Sequence, residues 1–274
     1  MILTIMHQTR YRYTMPMRGV VQSYRLTPSR FEGQSVIDWT VRVDAGQQGG
    51  GFRDGAGDWV QGYTVAGPVE EVVVDVNGTI ETRDMAGVLR GHRERIPADA
   101  YLRPTRATQP DVALTDLAHA AVAGTTEGAG AMLERAHRLS DAVADAIVFT
   151  PGVTEGHTTG AEALRLGEGV CQDHSHALIA CALILDMPAR YVSGYLHATE
   201  DGVPHEAAHA WAELWVPGLG WVGFDAANRC CPDDRYVRLG SGRDAREAAP
   251  IRGIARGPGS ENLDVTVSVQ AAQQ

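Results

Sequence analysis

Residues 169–188, GVCQDHSHALIACALILDMP, decide how the second half of this chain folds. After one polar turn, the side chains from Gln172 to Leu185 are apolar on nearly every side, which predicts a helix buried at the centre of a domain. Pro188 cannot continue a helix and marks its end. Cys171 falls in the first turn, where unpaired backbone amides and the helix dipole favour a negative charge on sulfur. The stretch therefore predicts a central helix with a thiolate at its N-terminus.

The nucleophile that this helix offers needs partners elsewhere in the chain. A free cysteine is a common core residue, and we interpret Cys181, on the same helix, in that way. A nucleophilic thiolate depends on a base, usually a histidine that is oriented by a carboxylate or an amide. His209 lies in one predicted strand, and Asp225 ends the next. Cys171, His209 and Asp225 are therefore the predicted catalytic residues.

The predicted hairpin between these two strands sets a geometric condition. A four-residue loop over 217–220 would place Asp225 opposite Ala212, so its carboxylate would point away from His209. A loop that is one residue shorter or longer, or a β-bulge, brings both side chains to one face of the sheet. We therefore predict one of these irregularities at the turn.

The surrounding sequence completes a domain of helices and strands. Apolar residues at three- and four-residue spacing predict helices over 112–122 and 129–148, and Thr159 with Glu162 forms a capping-box pattern that begins another. Further strands are predicted over 190–197, 208–216, 221–225 and 263–269.

The first 95 residues have a different pattern, the alternation of β-strands. Apolar runs at 2–13, 20–26, 36–43, 59–65 and 69–80 are separated by turn-forming residues. Residues 96–110 contain three prolines and no periodicity. We predict an α+β protein with an N-terminal antiparallel β-sandwich domain (1–95), a linker (96–110) and a core of helices packed on an antiparallel sheet (111–274).

The amino-acid composition argues against nucleic acids and membranes as binding partners. The 34 acidic and 24 basic residues give a formal net charge of −10, which would repel a phosphate backbone. No apolar run approaches the roughly 20 residues that span a bilayer. The first residues show no signal-peptide pattern, and the four cysteines fit reduced thiols. We expect a cytoplasmic protein that binds neither nucleic acid nor membrane.

Five ordered motifs surround the predicted catalytic residues: GVCQD (169–173), PARYVSGYL (188–196), HAW (209–211), GWVGFD (220–225) and GRD (242–244). In these motifs the sequence resembles the bacterial transglutaminase-like family. Tyr11-Arg-Tyr13 and Arg25-Leu-Thr-Pro28 resemble the β-domain that precedes the core in that family, so the resemblance covers nearly the whole chain.

The resemblance implies a papain-like core and a Cys-His-Asp triad, carried by Cys171, His209 and Asp225. It also implies amide chemistry, and we expect acyl transfer on amide bonds of a peptide or protein substrate, with no cofactor and no metal. The sequence departs from the family pattern in three places: Ala226-Ala227 replace Pro-Thr, His174-Ser175 replace Phe-Ala, and Phe149 stands where a tyrosine is common. These departures concern the surroundings of the triad.

Two other functions are compatible with parts of the sequence, a zinc peptidase and a non-catalytic scaffold. His205-Glu206-x-x-His209 matches the zinc-peptidase pattern H-E-x-x-H, but that chemistry needs a helix and the following residues favour a strand. The second alternative is a transglutaminase-like scaffold that has lost catalytic activity. The presence of all three residues of the predicted triad argues against it.

Other cysteine and histidine groupings give metal binding little support. His174 and His176, which form a C-x-x-H-x-H pattern with Cys171, cannot share a helix face. Cys230-Cys231 has no spaced partner pair. We interpret Asp173 and His176 as structural residues of the helix's first turns.

Overall fold

The computed structural model describes residues 1–125, 128, 130–197 and 208–272. It is a mixed α/β structure with mostly antiparallel sheets, which confirms the predicted α+β class. Its elements are β1 Ile2–Tyr24, β2 Gln34–Val43, β3 Gly46–Arg53, β4 Trp59–Thr82, a 3₁₀ helix Ala98–Leu102, α1 Val112–Val122, α2 Ala131–Ala146, β5 Val148–Phe149, α3 Gly160–Leu166, β6 Glu168–Gly169, α4 Cys171–Ile184, β7 Ala189–Leu196, β8 Ala208–Val216, β9 Gly220–Phe224, β10 Tyr236–Gly242, β11 Ile251–Arg256 and β12 Glu261–Ala271.

The N-terminal sheet is built on two long strands, β1 and β4, which pair along most of their length. Register shifts between Arg12 and Gly19 divide β1 into two halves; the first half also pairs with β12 and the second with β11. Leu3 from the first half and Tyr24 from the second belong to one buried cluster. The two halves therefore pack together and give the domain its sandwich-like core.

The last two strands lie in this N-terminal sheet. β11 and β12 fall within the 111–274 range that the sequence assigned to the core, yet both pair with β1. The chain thus leaves the first sheet after β4, builds the helical part, and returns at its C-terminal end. The 96–110 segment is also docked, since Tyr101 is buried and its ring packs edge-on against Trp221.

The second half packs helices on a four-stranded antiparallel sheet with the order β10-β7-β8-β9. Side chains from Asp173 to Ala182 of α4 are buried, as its nearly uniform apolar composition predicts. Leu114 from α1 and Leu139 from α2 belong to the same apolar cluster as α4, β7 and β8. In the part of the chain that the structure describes, no helix is both long and apolar enough to span a bilayer.

A buried network of charges connects the two sheets. Arg238 of β10 donates to Asp58, which precedes β4, and to Glu213 of β8, both at 2.8 Å. Arg190 of β7 contacts the other oxygen of Glu213 at 2.6 Å and Glu94 at 2.5 Å. Burial would raise the pKa of Glu213, but the two guanidinium groups outweigh it and lower that pKa to about 2. The carboxylate therefore stays ionised inside the protein.

Candidate active site

The N-terminus of α4 fixes the position of Cys171. Asp173 Oδ2 accepts hydrogen bonds from the Val170 amide at 2.8 Å and from the Thr154 hydroxyl at 2.6 Å. These bonds stabilise the helix start and tie it to the preceding loop. Cys171 is the first residue of the helix and is partly exposed. The structure agrees with a structural role for Asp173 and leaves the sulfur accessible.

The β8–β9 hairpin has a three-residue loop, which confirms the predicted irregularity. Val216 pairs with Gly220, so only 217–219 lie between the strands. Gly218 has φ +88° in the turn closed by the Leu219 amide and the Val216 carbonyl, a conformation that favours glycine. In this register Asp225 follows Phe224, which pairs with Ala212, and it reaches the face that carries His209.

The three predicted residues converge at this point. His209 Nε2 lies 2.5 Å from Asp225 Oδ2. Cys171 lies close enough to the His209 ring to help raise the pKa of the imidazole. The structure thus brings together a sulfur, an imidazole and a carboxylate from α4, β8 and the end of β9.

Two further residues hold the Asp225 carboxylate, and sequence reasoning assigned no role to either. The Tyr236 hydroxyl donates to Asp225 Oδ2 at 2.8 Å. Asn228 donates to the same oxygen through its side-chain amide at 2.7 Å and to Oδ1 through its backbone amide at 3.1 Å. Asn228 lies three residues after the GWVGFD motif and could have been considered. No local pattern marks Tyr236, because it reaches the site only through the pairing of β10 with β7.

The electrostatics of the site favour a charged pair. Burial alone would lower the pKa of His209, but its hydrogen bonds to Asp225 and Cys171 outweigh burial and raise that pKa to about 10. Burial would raise the pKa of Asp225, but hydrogen bonds from His209, Asn228 and Tyr236 hold it below its ordinary value. These pKa shifts describe a protonated His209 beside an ionised Asp225, with Cys171 nearby.

The other cysteines have environments that favour the neutral thiol. Burial raises the pKa of Cys181 to about 12, and burial with the neighbouring Cys230 raises that of Cys231 to about 11. Burial also raises the pKa of Cys230, whose sulfur lies 3.3 Å from the Tyr236 hydroxyl. Burial therefore disfavours the thiolate at these three positions.

The remaining histidines of α4 have structural contacts. Both ring nitrogens of His174 lie within 2.9 Å of backbone carbonyls, those of Val170 and Ile147. His176 Nε2 accepts the Ala245 amide at 3.1 Å, and burial lowers its pKa to about 4. No group of three metal-ligand side chains occurs among the described residues.

The zinc-peptidase pattern falls largely outside the structure. His205 and Glu206 lie beyond the described residues. His209, the second histidine of the pattern, lies in strand β8, whereas that chemistry requires a helix. Its Nε2 is already occupied by Asp225.

Two family models match this chain. Residues 119–226 match the transglutaminase-like superfamily core, and residues 3–81 match the bacterial transglutaminase-like N-terminal region. The chain is therefore similar to transglutaminase-like proteins in both of these regions. The first match spans Cys171, His209 and Asp225, and the second spans strands β1 to β3 and nearly all of β4.

Curated relatives and solved structures are similar to this chain over most or all of its length. An uncharacterized protein of Mycobacterium leprae (strain TN) is 28% identical over 278 residues, covering 97% of this chain and 98% of the relative. The crystal structure of a candidate cysteine protease from Cytophaga hutchinsonii has a TM-score of 0.72 at 22% identity, covering 100% of this chain and 92% of that one. The periplasmic domain of TgpA from Pseudomonas aeruginosa has a TM-score of 0.41 at 14% identity, with 81% and 87% coverage. The Cytophaga likeness shows the fold.

Proposed function

We propose that this protein is a cysteine acyl-transfer enzyme that acts on amide bonds of peptide or protein substrates. The observation that carries the proposal is the contact of His209 Nε2 with Asp225 Oδ2 at 2.5 Å, with Cys171 near enough to the same ring to help raise its pKa. This is the order of nucleophile, base and orienting group that covalent amide chemistry requires.

In the first half of the proposed reaction, the Cys171 thiolate attacks the amide carbonyl and forms a sulfur–carbon bond. His209 gives its proton to the departing nitrogen as the carbon–nitrogen bond breaks. Asp225 keeps the imidazole oriented and stabilises its positive charge. The products are a free amine and a thioester on Cys171.

In the second half, water or an amine attacks the thioester carbonyl and passes a proton to His209. The sulfur–carbon bond breaks, which restores the thiolate and imidazolium pair. The backbone amide of Cys171 lies at the first position of α4, outside the helix's own hydrogen-bonding pattern. It is placed to donate to the oxyanion that forms in each half.

Selective alkylation tests the nucleophile. Iodoacetamide at neutral pH should label Cys171 much faster than Cys181, Cys230 or Cys231, as measured by peptide mass mapping. His209→Ala should slow the labelling of Cys171 at least tenfold, because the charged pair is lost. His119→Ala, which removes an exposed histidine on α1, is the matched control and should leave the rate unchanged.

The fate of the acyl group is tested in a second experiment. The protein is incubated with casein, with and without a fluorescent primary amine, and peptide cleavage, ammonia release and amine incorporation are each measured. Any of the three that is lost in Cys171→Ala supports the proposal. A Cys171 that labels no faster than Cys230, together with no product in any assay, would instead support a non-catalytic scaffold.

A further inference from the structure

Two clefts meet on the side of the core that carries the β10–β11 connection. One has a volume of about 760 Å³ and extends past Arg25 and Arg103; the other, of about 690 Å³, extends past Arg106 and His157. They share Arg243, Glu247 and Arg252 as lining residues, so they are neighbours, and together they are called the arginine groove below. Their combined volume has room for more than a small ion.

The groove is positive in a protein that is negative overall. Six arginines line it: Arg25, Arg103, Arg106, Arg243, Arg246 and Arg252. The acidic residues that line it are four: Asp54, Asp99, Asp244 and Glu247. The difference of six and four leaves two positive charges, whereas the whole chain has a net charge of −10.

Four of the six arginines lie outside ion pairs, although the charges of Arg106 and Arg252 help lower the pKa values of Glu162 and Glu247. Arg25 pairs with Asp54 and Arg243 with Glu247. Arg103, Arg106, Arg246 and Arg252 are exposed and form no ion pair with any described residue. A guanidinium presents a planar set of donors that matches a carboxylate, so four unpaired arginines favour a ligand with several carboxylates.

One end of the groove lies beside the candidate active site. Gly156 and His157 line it, and the Gln172 side chain contacts the Gly156 carbonyl at 3.4 Å. Gln172 directly follows Cys171 in α4. A chain lying in the groove would therefore pass close to the first turn of α4, which carries Cys171.

We propose that this arginine groove binds an acidic segment of a peptide or protein substrate and presents a neighbouring amide to Cys171. The inference rests on the proposed function, because the bound segment is taken to be part of the acyl-transfer substrate. It adds a substrate class, namely chains with several Asp or Glu side chains near the reacting amide.

Binding is tested apart from turnover, in full-length Cys171→Ala. The probe is a fluorescein-labelled peptide in which Glu alternates with Ser, and fluorescence anisotropy is compared with that of the same peptide carrying Gln in place of Glu. The Glu peptide should bind at least tenfold more tightly than the Gln peptide at low ionic strength, and added salt should weaken its binding.

Charge-reversal variants test whether the Glu peptide binds in the arginine groove. R246E/R252E should weaken binding of the Glu peptide at least tenfold. R18E/R42E changes the net charge equally at two exposed arginines outside the groove, and it should weaken binding less than twofold. Thermal unfolding of both variants verifies that they fold.

Three results would overturn the inference: equal weakening by the two double variants, equal affinity for the Glu and Gln peptides, or displacement of the Glu peptide by inorganic phosphate at matched charge concentration. The last would indicate a site for a small anion. Because the nucleophile is absent throughout, an inert Cys171 in the labelling experiment would refute the proposed function without changing any of these outcomes.

Discussion

Asp225 is the residue on which the state of His209 depends. Replacing it by Asn keeps the shape and removes the charge that stabilises the imidazolium. We expect Asp225→Asn to lower kcat/KM by roughly 10²- to 10⁴-fold, with the protein still folded. Steady-state kinetics on the substrate found in the casein assays measures the effect. A variant with unchanged kinetics would show that Asp225 has no part in the reaction.

The pKa of His209 predicts the alkaline limit of activity. With a pKa of about 10, the imidazolium that protonates the leaving amine persists well above neutrality. The profile of kcat/KM against pH should therefore fall on its alkaline side with a midpoint near 10. Since folding raises this pKa from 6.5, the associated stability is present below pH 6.5 and is lost as the pH rises through about 10. An alkaline midpoint near 7 would contradict the observed hydrogen bonding.

Tyr236 is predicted to be a positioning residue for Asp225. Tyr236→Phe removes one donor to a charged carboxylate, a bond worth about 1.5–3 kcal/mol, so kcat should fall roughly tenfold or more while KM changes little. The alkaline midpoint should shift as well, which a purely structural role would not cause. The matched control is Tyr195→Phe, since Tyr195 is also a buried sheet tyrosine but bonds His7 at 2.7 Å.

At this scale the sequence predicted the three convergent residues because each lies in a motif with a recognisable local pattern. The parity argument for the hairpin also succeeded, because side chains alternate strictly along a strand. Tyr236 escaped prediction since its contact with Asp225 joins β10 to the end of β9, and no short stretch contains both.

Among the elements, the start of α4 connects stability to reactivity. Asp173→Ala removes the acceptor for the Val170 amide and the Thr154 hydroxyl, which should cost about 1–2 kcal/mol of unfolding free energy in urea. Because the first turn then loosens around Cys171, iodoacetamide labelling should slow as well.

Glu162→Ala provides the control for this helix start. It removes the corresponding acceptor in the capping box of α3, where Glu162 accepts the Thr159 amide at 2.9 Å. Because Glu162 is exposed, this change should reduce stability less than Asp173→Ala does, and it should leave the labelling rate of Cys171 unchanged. Equal slowing in both variants would indicate a global effect.

Helices were predicted more closely than strands, for a physical reason. The expected range 112–122 coincides with α1, and the capping box begins α3 as expected, because helix signals are local. Strand β3, Gly46–Arg53, was missed: its sequence GQQGGGFR is glycine-rich and mostly exposed, and it is held by pairing with β4. Strands β10 and β11 were missed as well.

For the whole molecule, the class and the order of the two halves follow from the change of periodicity after β4. The pairing of β11 and β12 with β1 does not follow from the sequence pattern. In the pairing of Leu3 with Ala271 the partners lie at opposite ends of the chain, and an alternating strand pattern does not state which strand it will join. The predicted division at 96–110 therefore gives the order of the segments along the chain. It does not give the composition of the N-terminal sheet, which also includes β11 and β12.

The buried network around Glu213 is the feature that should govern the stability of the whole molecule. Glu213→Gln leaves Arg190 and Arg238 buried with one carboxylate fewer, which should cost about 3–5 kcal/mol of unfolding free energy at pH 7. The matched control is Glu71→Gln, which breaks partly exposed pairs with Arg10 and Arg12 and should cost less than about 1 kcal/mol.

The pKa of Glu213 predicts how this difference in unfolding free energy changes with pH. Folding lowers the pKa of Glu213 from 4.5 to about 2, so its contribution is present above pH 4.5 and is lost as the pH falls toward 2. The contribution amounts to about 3 kcal/mol. Urea unfolding of the wild type and Glu213→Gln should therefore give a difference that is constant between pH 5 and 7 and narrows below about pH 4.5. A constant difference down to pH 3 would mean that Glu213 does not titrate against the two arginines, and the link between the sheets would then have to come from their apolar contacts.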